Sequence, residues 1–425
     1  MKKITVLDVT LRDGGCVNNF NFGQVYMEKI LKAQEESGVE MIEMGYIDEK
    51  NGSESGRTQY INEQVIHKTI LKNKKPGVTY VAMMDFGKFN PDNLSPRTDK
   101  SIDGLRVAFH KKDMHNMVPV CKKVMDKGYK VFIQPMITLR YTDSELLELI
   151  DLVNTELSQA SGFYIVDTFG EMRPNDMARV MNLVDHNLLS SMPMGFHSHN
   201  NIQMSYSNAC AMLQFPTKRE LMIDSSIMGM GKGAGNLNTE LLLDHLNVFY
   251  GKDYKLSPLL EVIDKVINQL HSEFYWGYAP EYYLSSANHC TPSYASHFYN
   301  KHQLPIDQVA ELLSKIREDK KISFDKNYAE ELWRSYNEIK QVDDSAVVEE
   351  LKTVVKNKTV LLVAPGKSII KYKKDIEDQI ALDNVISIGL NLTEPFAVDF
   401  MMITRQDMYE AALNSGTSII TTSNV

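Results

Sequence analysis

Eight short apolar, β-rich runs alternate with amphipathic stretches over roughly the first 250 residues, and no other feature of this chain restricts its fold as much. The runs are Ile4 to Val9, Met41 to Met44, Thr79 to Met84, Gly104 to Phe109, Lys130 to Pro135, Gly162 to Val166, Met194 to His197 and Glu220 to Ser225. Helical candidates such as Gly23 to Ser37 and Asp143 to Leu157 lie between them. Parallel strands need crossovers of this kind, and eight βα units in this length predict a TIM (β/α)8 barrel. An open doubly wound sheet is the rival, but it would not set the first strand beside the last.

That adjacency matters because the chemistry-bearing residues fall just past these strands. Asp8-Val-Thr-Leu-Arg-Asp-Gly-Gly15 follows the first run, and Gly195-Phe-His-Ser-His-Asn-Asn201 ends the seventh. His197 and His199 are two residues apart, so on an extended backbone both imidazoles point to one side. Asp13 offers a hard oxygen, and the loop Gly229-Met-Gly-Lys-Gly-Ala-Gly-Asn236 follows the eighth run. In a closed barrel these ends are contiguous at the C-terminal face, where active sites of the fold lie. Octahedral Mg2+ or Mn2+ takes such a mixed oxygen and nitrogen set with positions left for substrate, whereas zinc favours tetrahedral sites and thiolates. The loop glycines do not form a phosphate loop, since Lys232 is not followed by Ser or Thr; they let backbone approach metal and substrate.

Composition excludes several classes. The 425 residues are 43% hydrophobic and 24% charged, with a net charge of −9, so no basic surface suits nucleic acid. Cys16, Cys121, Cys210 and Cys290 are widely spaced, form no CxxC pair and suit a reducing compartment. No apolar run approaches the roughly 20 residues that span a bilayer, and the N-terminus reaches Asp8 before a signal-type apolar region could form. The expectation is a cytoplasmic protein with no membrane partner.

The Leu-Arg-Asp-Gly turn, the HxH strand and the GxGxGAGN loop, in this order, resemble the DRE-TIM metallolyases, a superfamily that includes 4-hydroxy-2-oxovalerate aldolases, hydroxymethylglutaryl-CoA lyases and isopropylmalate synthases. The similarity covers about residues 1 to 290. It implies that Asp13, His197 and His199 bind the metal with Asn236 as a further ligand, that Arg12 stabilises an enolate, and that Glu43 joins the polar network. A divalent ion on the two oxygens of a 2-oxo acid is a Lewis acid for enolate charge, and Arg12 adds a fixed donor fork. The alternative for Arg12 and Asp13 is a surface salt bridge of at most about 1 kcal/mol. For Glu43 a structural pairing with Arg12 and a catalytic role weigh equally.

The chain departs from the aldolase pattern at one place. Where those enzymes carry a histidine shortly after the metal aspartate, Cys16 stands, and a thiol serves as acid or base only with a lowered pKa. Trp276-Gly-Tyr-Ala-Pro-Glu-Tyr-Tyr283 resembles the region that supplies the aldolases' tyrosine, which nominates Tyr278 or Tyr282 as proton donor against ordinary aromatic packing. Asp167-Thr-Phe-Gly170 resembles the family's DTxG turn, with loop formation by Asp167 and Thr168 set against substrate contact. Biotin-dependent carboxyltransferases also open with a TLRD turn, yet no counterpart of their modified lysine is found here.

Three domains are expected: a barrel over 1–256, a helical accessory region over 257–356 and a Rossmann-like α/β domain over 357–425. Ile306 to Glu318, Tyr328 to Lys340 and Ala346 to Lys356 are the clearest amphipathic stretches of the second. Val360 to Ala364, Val385 to Ile388, Asp399 to Ile403 and Ser418 to Thr421 are the strands of the third. Pro365-Gly-Lys-Ser368 after its first strand is a place where amides could hold an anion or nucleotide, and a stop at Val425 just after a strand suggests a truncated domain.

The leading function is a metal-dependent aldolase or lyase acting through the enolate of a 2-oxo acid such as pyruvate, with an aldehyde or sugar acceptor. The alternatives are an acyl-CoA condensing or cleaving enzyme of the same superfamily and a non-catalytic ligand-binding barrel. Family members often dimerise, so a homodimer is expected.

Overall fold

The structure, a computed structural model, describes residues 2–421 apart from 54, 340–342, 393–395, 414 and 415. It divides into two compact units, residues 1–329 and 330–425. In the first, all eight expected runs are strands: β1 (Ile4–Asp8), β2 (Met41–Ile47), β4 (Thr79–Asp85), β5 (Gly104–Phe109), β6 (Lys130–Pro135), β7 (Gly162–Asp167), β8 (Met194–Ser198) and β9 (Leu221–Ser225). They pair in parallel in the order β1-β9-β8-β7-β6-β5-β4-β2, and β1 also pairs with β2, which closes the TIM barrel. A short strand missing from the sequence reading, β3 (Gln59–Tyr60), adds to β2 outside the barrel; two residues carry no periodicity to detect.

Every residue of β1, β5, β7, β8 and β9 is buried, as expected of parallel strands covered on both faces. Leu7, Val9, Met41, Val81, Phe132, Tyr164, Val166 and Met222 pack inside the barrel. A larger apolar layer joins the outer strand faces to the helices. The crossover Asp143–Glu156 starts at a capping box, in which Thr142 and Glu145 satisfy each other's backbone amides.

Beyond the barrel the first unit continues as helices Ser257–Val262, Asn268–Glu273, Pro280–Ala287, Pro292–Ser296 and Ile306–Ser314. They cover loops at the C-terminal face: Ser286 Oγ donates to the Phe169 carbonyl (2.5 Å) and Trp276 Nε1 to that of Met228 (2.9 Å). The expected helix to Glu318 stops at Ser314, because the amides of Lys315 and Ile316 turn back to Leu312 and Leu313 in the tighter i→i−3 pattern. Helix Lys326–Ile339 matches the next expected stretch, whose last residue, Lys340, lies outside the described residues.

The second unit contains helix Ser345–Val355 and a parallel sheet in the order β10 (Thr359–Val363), β11 (Val385–Leu390), β12 (Phe400–Ile403) and β13 (Ser418–Thr421). Its order shows no reversal among the described residues, so it offers no switch-point crevice of the kind that holds nucleotides. The helix after Gly366 is only Lys367–Lys371, too short to support the anion site expected there. Residues 422–425, on which the idea of truncation rested, lie outside the described residues. No helix among the described residues is long and apolar enough to cross a membrane.

Candidate active site and metal centre

The turn after β1 is built by its own backbone. Asp8 accepts from the Thr10 amide (2.9 Å), and the amides of Arg12 and Asp13 both return to the Val9 carbonyl (3.0 and 2.8 Å), which aims both side chains over the barrel mouth. On the far side of the closure, His199 continues past β8 with its amide on the Asp167 carbonyl (3.1 Å) and bridges to Asn236. The ends of β1, β8 and β9 therefore meet as barrel closure requires.

Asp13, His197 and His199 are buried, and one ligand atom of each lies within 4.8 Å of the others. His199 Nε2 is 3.7 Å from Asp13 Oδ2, to which the Asn236 amide also donates at 2.5 Å. Asn236 Oδ1 is buried without a protein partner, an acceptor that a cation would satisfy. Burial opposes the charge on Asp13, but Arg12, His199 and His197 outweigh it and hold the carboxyl below the usual range. Burial pushes His199 down to about 4, leaving a neutral imidazole as metal ligands must be. Two carboxylate or amide oxygens and two imidazoles in one buried cluster fit a divalent cation.

Two glycines make this approach feasible. A Cβ on Gly231 would stand 2.3 Å from Asn236 Nδ2 and 3.0 Å from Asp13 Oδ2, and Gly235 has φ +83° with the Gly229 carbonyl 2.0 Å from where its Cβ would be. Gly231→Ala is expected to displace the Asn236 amide and weaken Mn2+ binding by about 10- to 100-fold, as loss of a supporting group does. An electron paramagnetic resonance titration of Mn2+ checks this, and unchanged affinity would remove Asn236 from the centre.

A continuous chain of opposite charges backs the cluster. Arg12 donates from Nη1 to Asp13 (2.6 Å) and from Nε to Glu43 (2.7 Å). Glu43 also accepts from Arg106 Nη1 (2.9 Å), Arg106 reaches Asp224 through Nη2, and Asp224 meets His197 Nδ1 at 2.9 Å. The Asp224 contact turns His197 Nε2 toward the cluster. Arg106 is fully buried on β5, its guanidinium 4.7 Å from the centroid of the Tyr164 ring. Arg106 and Asp224 escaped the sequence reading; the available signal was a single charged residue inside each of two apolar strands. Arg12 lines the cavity, and its Nη2 is buried with no partner.

Arg12, Asp13, Cys16, His197 and His199 line one cavity of about 750 Å3. The Cys16 residue has exposed surface, but its thiol lies 4.0 Å from Asp13 Oδ1, and burial together with that charge pushes it up to about 12. Tyr282 lines an adjoining cavity that shares Cys16, Lys232 and Pro292. Tyr278 is brought to neither; it is exposed and lines a separate crevice with His271 and Trp276. Asp167 accepts from the amides of Glu171 (2.9 Å) and Met172 (3.0 Å), a loop-forming role, while Thr168 Oγ1 accepts from Ile137 and lines the main cavity. The sequence reading also passed over Asp85, at the end of β4. Burial raises its carboxyl, which the Tyr46 hydroxyl hydrogen-bonds, and both line the cavity.

Residues 102–266 match the HMGL-like family model. A 4-hydroxy-2-oxovalerate aldolase of Pseudoalteromonas translucida is 27% identical over 292 residues, covering 66% of this chain and 83% of the relative. One from Geobacillus thermodenitrificans is 25% identical over 278 residues, covering 64% and 79%. Among solved structures, the N-terminal domain of a candidate aldolase from Bacteroides vulgatus superposes with a TM-score of 0.59 at 24% identity, covering 73% of this chain and 97% of that one. HMG-CoA lyase of Bacillus subtilis gives 0.50 at 18% identity, covering 64% and 94%. At these identities the two structures speak for the barrel fold alone.

Proposed function

We propose that this chain, whose barrel carries an HMGL-like domain, is a divalent-metal-dependent aldolase that makes or breaks a carbon–carbon bond through the enolate of a 2-oxo acid such as pyruvate, with an aldehyde or sugar as the other partner. The observation that carries this reading is the buried, partnerless Arg12 Nη2 beside the Asp13, His197 and His199 cluster in one cavity. Asp13, His197, His199 and Asn236 would hold the ion, Mn2+ or Mg2+ by the donor set. Bound there, it supplies Lewis acidity toward a 2-oxo acid.

The chain's own groups do the rest. In cleavage, the hydroxyl proton of the substrate passes to Asp85, the bond between the hydroxyl-bearing carbon and its neighbour breaks, and the electron pair moves to the oxygen of the 2-oxo group. Arg12 Nη2 donates to that oxygen, and Glu43 and Asp13 hold the guanidinium in place. The aldehyde leaves, and the enolate carbon takes a proton to become a methyl group. Glu43 thus positions Arg12, while Tyr282 lines only the adjoining cavity.

The reading keeps the barrel of 1–256 as the catalytic part, helices 257–356 as accessory and 357–425 as a separate α/β domain. Cytoplasmic residence rests on four cysteines free of disulfides, and homodimeric assembly on the family resemblance.

Incubation with pyruvate in deuterated water, with and without Mn2+, tests the function. Metal-dependent loss of the methyl proton signal is expected. No exchange with the metal bound would overturn pyruvate as donor and favour acyl-CoA substrates.

A further inference from the structure

The cavity is far larger than a small 2-oxo acid needs. Its 750 Å3 is in the range that holds drug-sized ligands, and pyruvate at the metal cluster would fill only its floor. The remainder runs along a wall formed by the segment between β2 and β3, the loop after Asp13 and the end of β4, lined by Asn19, Asp48, Asn51, Arg57, Gln59 and Lys88.

This wall is built in advance. Asp48 accepts from the amides of Lys50 (3.0 Å) and Asn51 (2.9 Å) and from Asn51 Nδ2 (3.0 Å), a turn that fixes Asn51. Arg57 donates to the Asn19 carbonyl (2.9 and 3.1 Å) and to Gln59 Oε1 (3.0 Å), and the Thr58 amide reaches the Phe20 carbonyl (3.0 Å). Asn19 and Phe20 both hold positive φ, 54° and 60°, a backbone that these cross-links stabilise. The Glu49 amide binds the Lys88 carbonyl (3.1 Å), which joins the third piece. A two-residue strand outside the barrel, β3, anchors the arrangement.

The chemistry of the wall is polar and of mixed charge. Arg57 and Lys88 face the same cavity as Asp48 and Asp85, and the amides of Asn19, Asn51 and Gln59 both donate and accept. An alkyl aldehyde would bring no hydrogen-bonding group to this wall beyond its carbonyl, and a phosphate would meet Asp48 and Asp85. Hydroxyl groups, which donate and accept at once, match this wall.

We infer that this wall is the acceptor subsite and that the aldehyde partner is an uncharged polyhydroxylated chain, an aldose rather than a short alkyl aldehyde. The inference rests on the aldolase reading above and adds the substrate class to it.

The test runs the enzyme with Mn2+ and pyruvate against acetaldehyde, propionaldehyde, erythrose, arabinose and erythrose 4-phosphate, following pyruvate consumption. The expected kcat/KM for the better aldose exceeds that for acetaldehyde by at least about a hundredfold, since a site made to hydrogen-bond hydroxyls discriminates strongly against analogues lacking them. Arg57→Met should lower the aldose-to-acetaldehyde ratio about tenfold. Equal or better use of acetaldehyde overturns the inference, as does a strong preference for the phosphorylated aldose over its parent. Methyl exchange of pyruvate, measured alongside, separates the two claims. Exchange without aldose preference leaves the pyruvate reading standing and removes the acceptor assignment. Should exchange be absent, broadening of arabinose proton signals by the enzyme, lost in Arg57→Met, still supports the subsite, and no broadening overturns it.

Discussion

Arg12→Met is expected to slow metal-dependent deuterium exchange of the pyruvate methyl group by about 10^2- to 10^3-fold, the usual effect of removing one donor from a preorganised oxyanion site. The ion should still bind, because Asp13 keeps the Asn236 amide and both histidines remain beside it. Arg12→Lys should not restore the rate. An ammonium is a point charge and cannot hold Asp13 and Glu43 while keeping a third donor aimed at substrate, as the guanidinium fork does. The measurement pairs the NMR exchange rate with a Mn2+ titration of each variant. Exchange within about tenfold of wild type would mean that Arg12 is structural, with under about 1.4 kcal/mol of barrier lowering to its credit.

The second large effect concerns stability. Arg106→Met should destabilise the barrel by about 3–5 kcal/mol, because it strips a shared cation from two buried carboxylates, leaving Glu43 to Arg12 and Asp224 to His197. Methionine fills much of the same space, so the loss reports the charge more than a cavity. In a chain of this size such a change lowers the melting temperature by several degrees. Glu43→Gln combined with Arg106→Met should cost less than the sum of the two alone, since both remove parts of one network. A melting temperature unchanged in Arg106→Met would show that Arg12 and His197 suffice to neutralise the two acids.

The barrel and the grouping of Asp13, His197 and His199 were legible because each leaves a pattern that survives in one dimension. Eight apolar runs spaced by amphipathic stretches imply closure, closure brings the ends of the first, seventh and eighth runs together, and Asp13, His197, His199 and Asn236 sit at those ends. Arg106 and Asp224 were not legible. A single charge inside an apolar strand looks the same whether it points outward or into the barrel, and only the partner strands reveal that each answers the other. The acceptor wall was hidden for a different reason. Its residues belong to irregular loops whose hydrogen bonds link positions such as Asn19 and Arg57, and no periodicity announces them. The tyrosines illustrate the limit of resemblance: Tyr278 and Tyr282 are four residues apart and equally eligible as letters, yet they line different cavities.

The buried chain behind the cluster also sets an account of charge that neither ligand can balance alone. Asp13, Glu43 and Asp224 as carboxylates, against Arg12 and Arg106, leave one net negative charge beneath the cavity floor. A divalent cation reverses that to one positive charge, and the carboxylate of a 2-oxo acid returns it to zero. In a low-dielectric floor, each ligand therefore raises the affinity of the other by the same factor, as linkage demands. On the proposed function, the cation alone would leave one positive charge and the acid alone two negative charges, so only the pair, assembled for reaction, would be electroneutral.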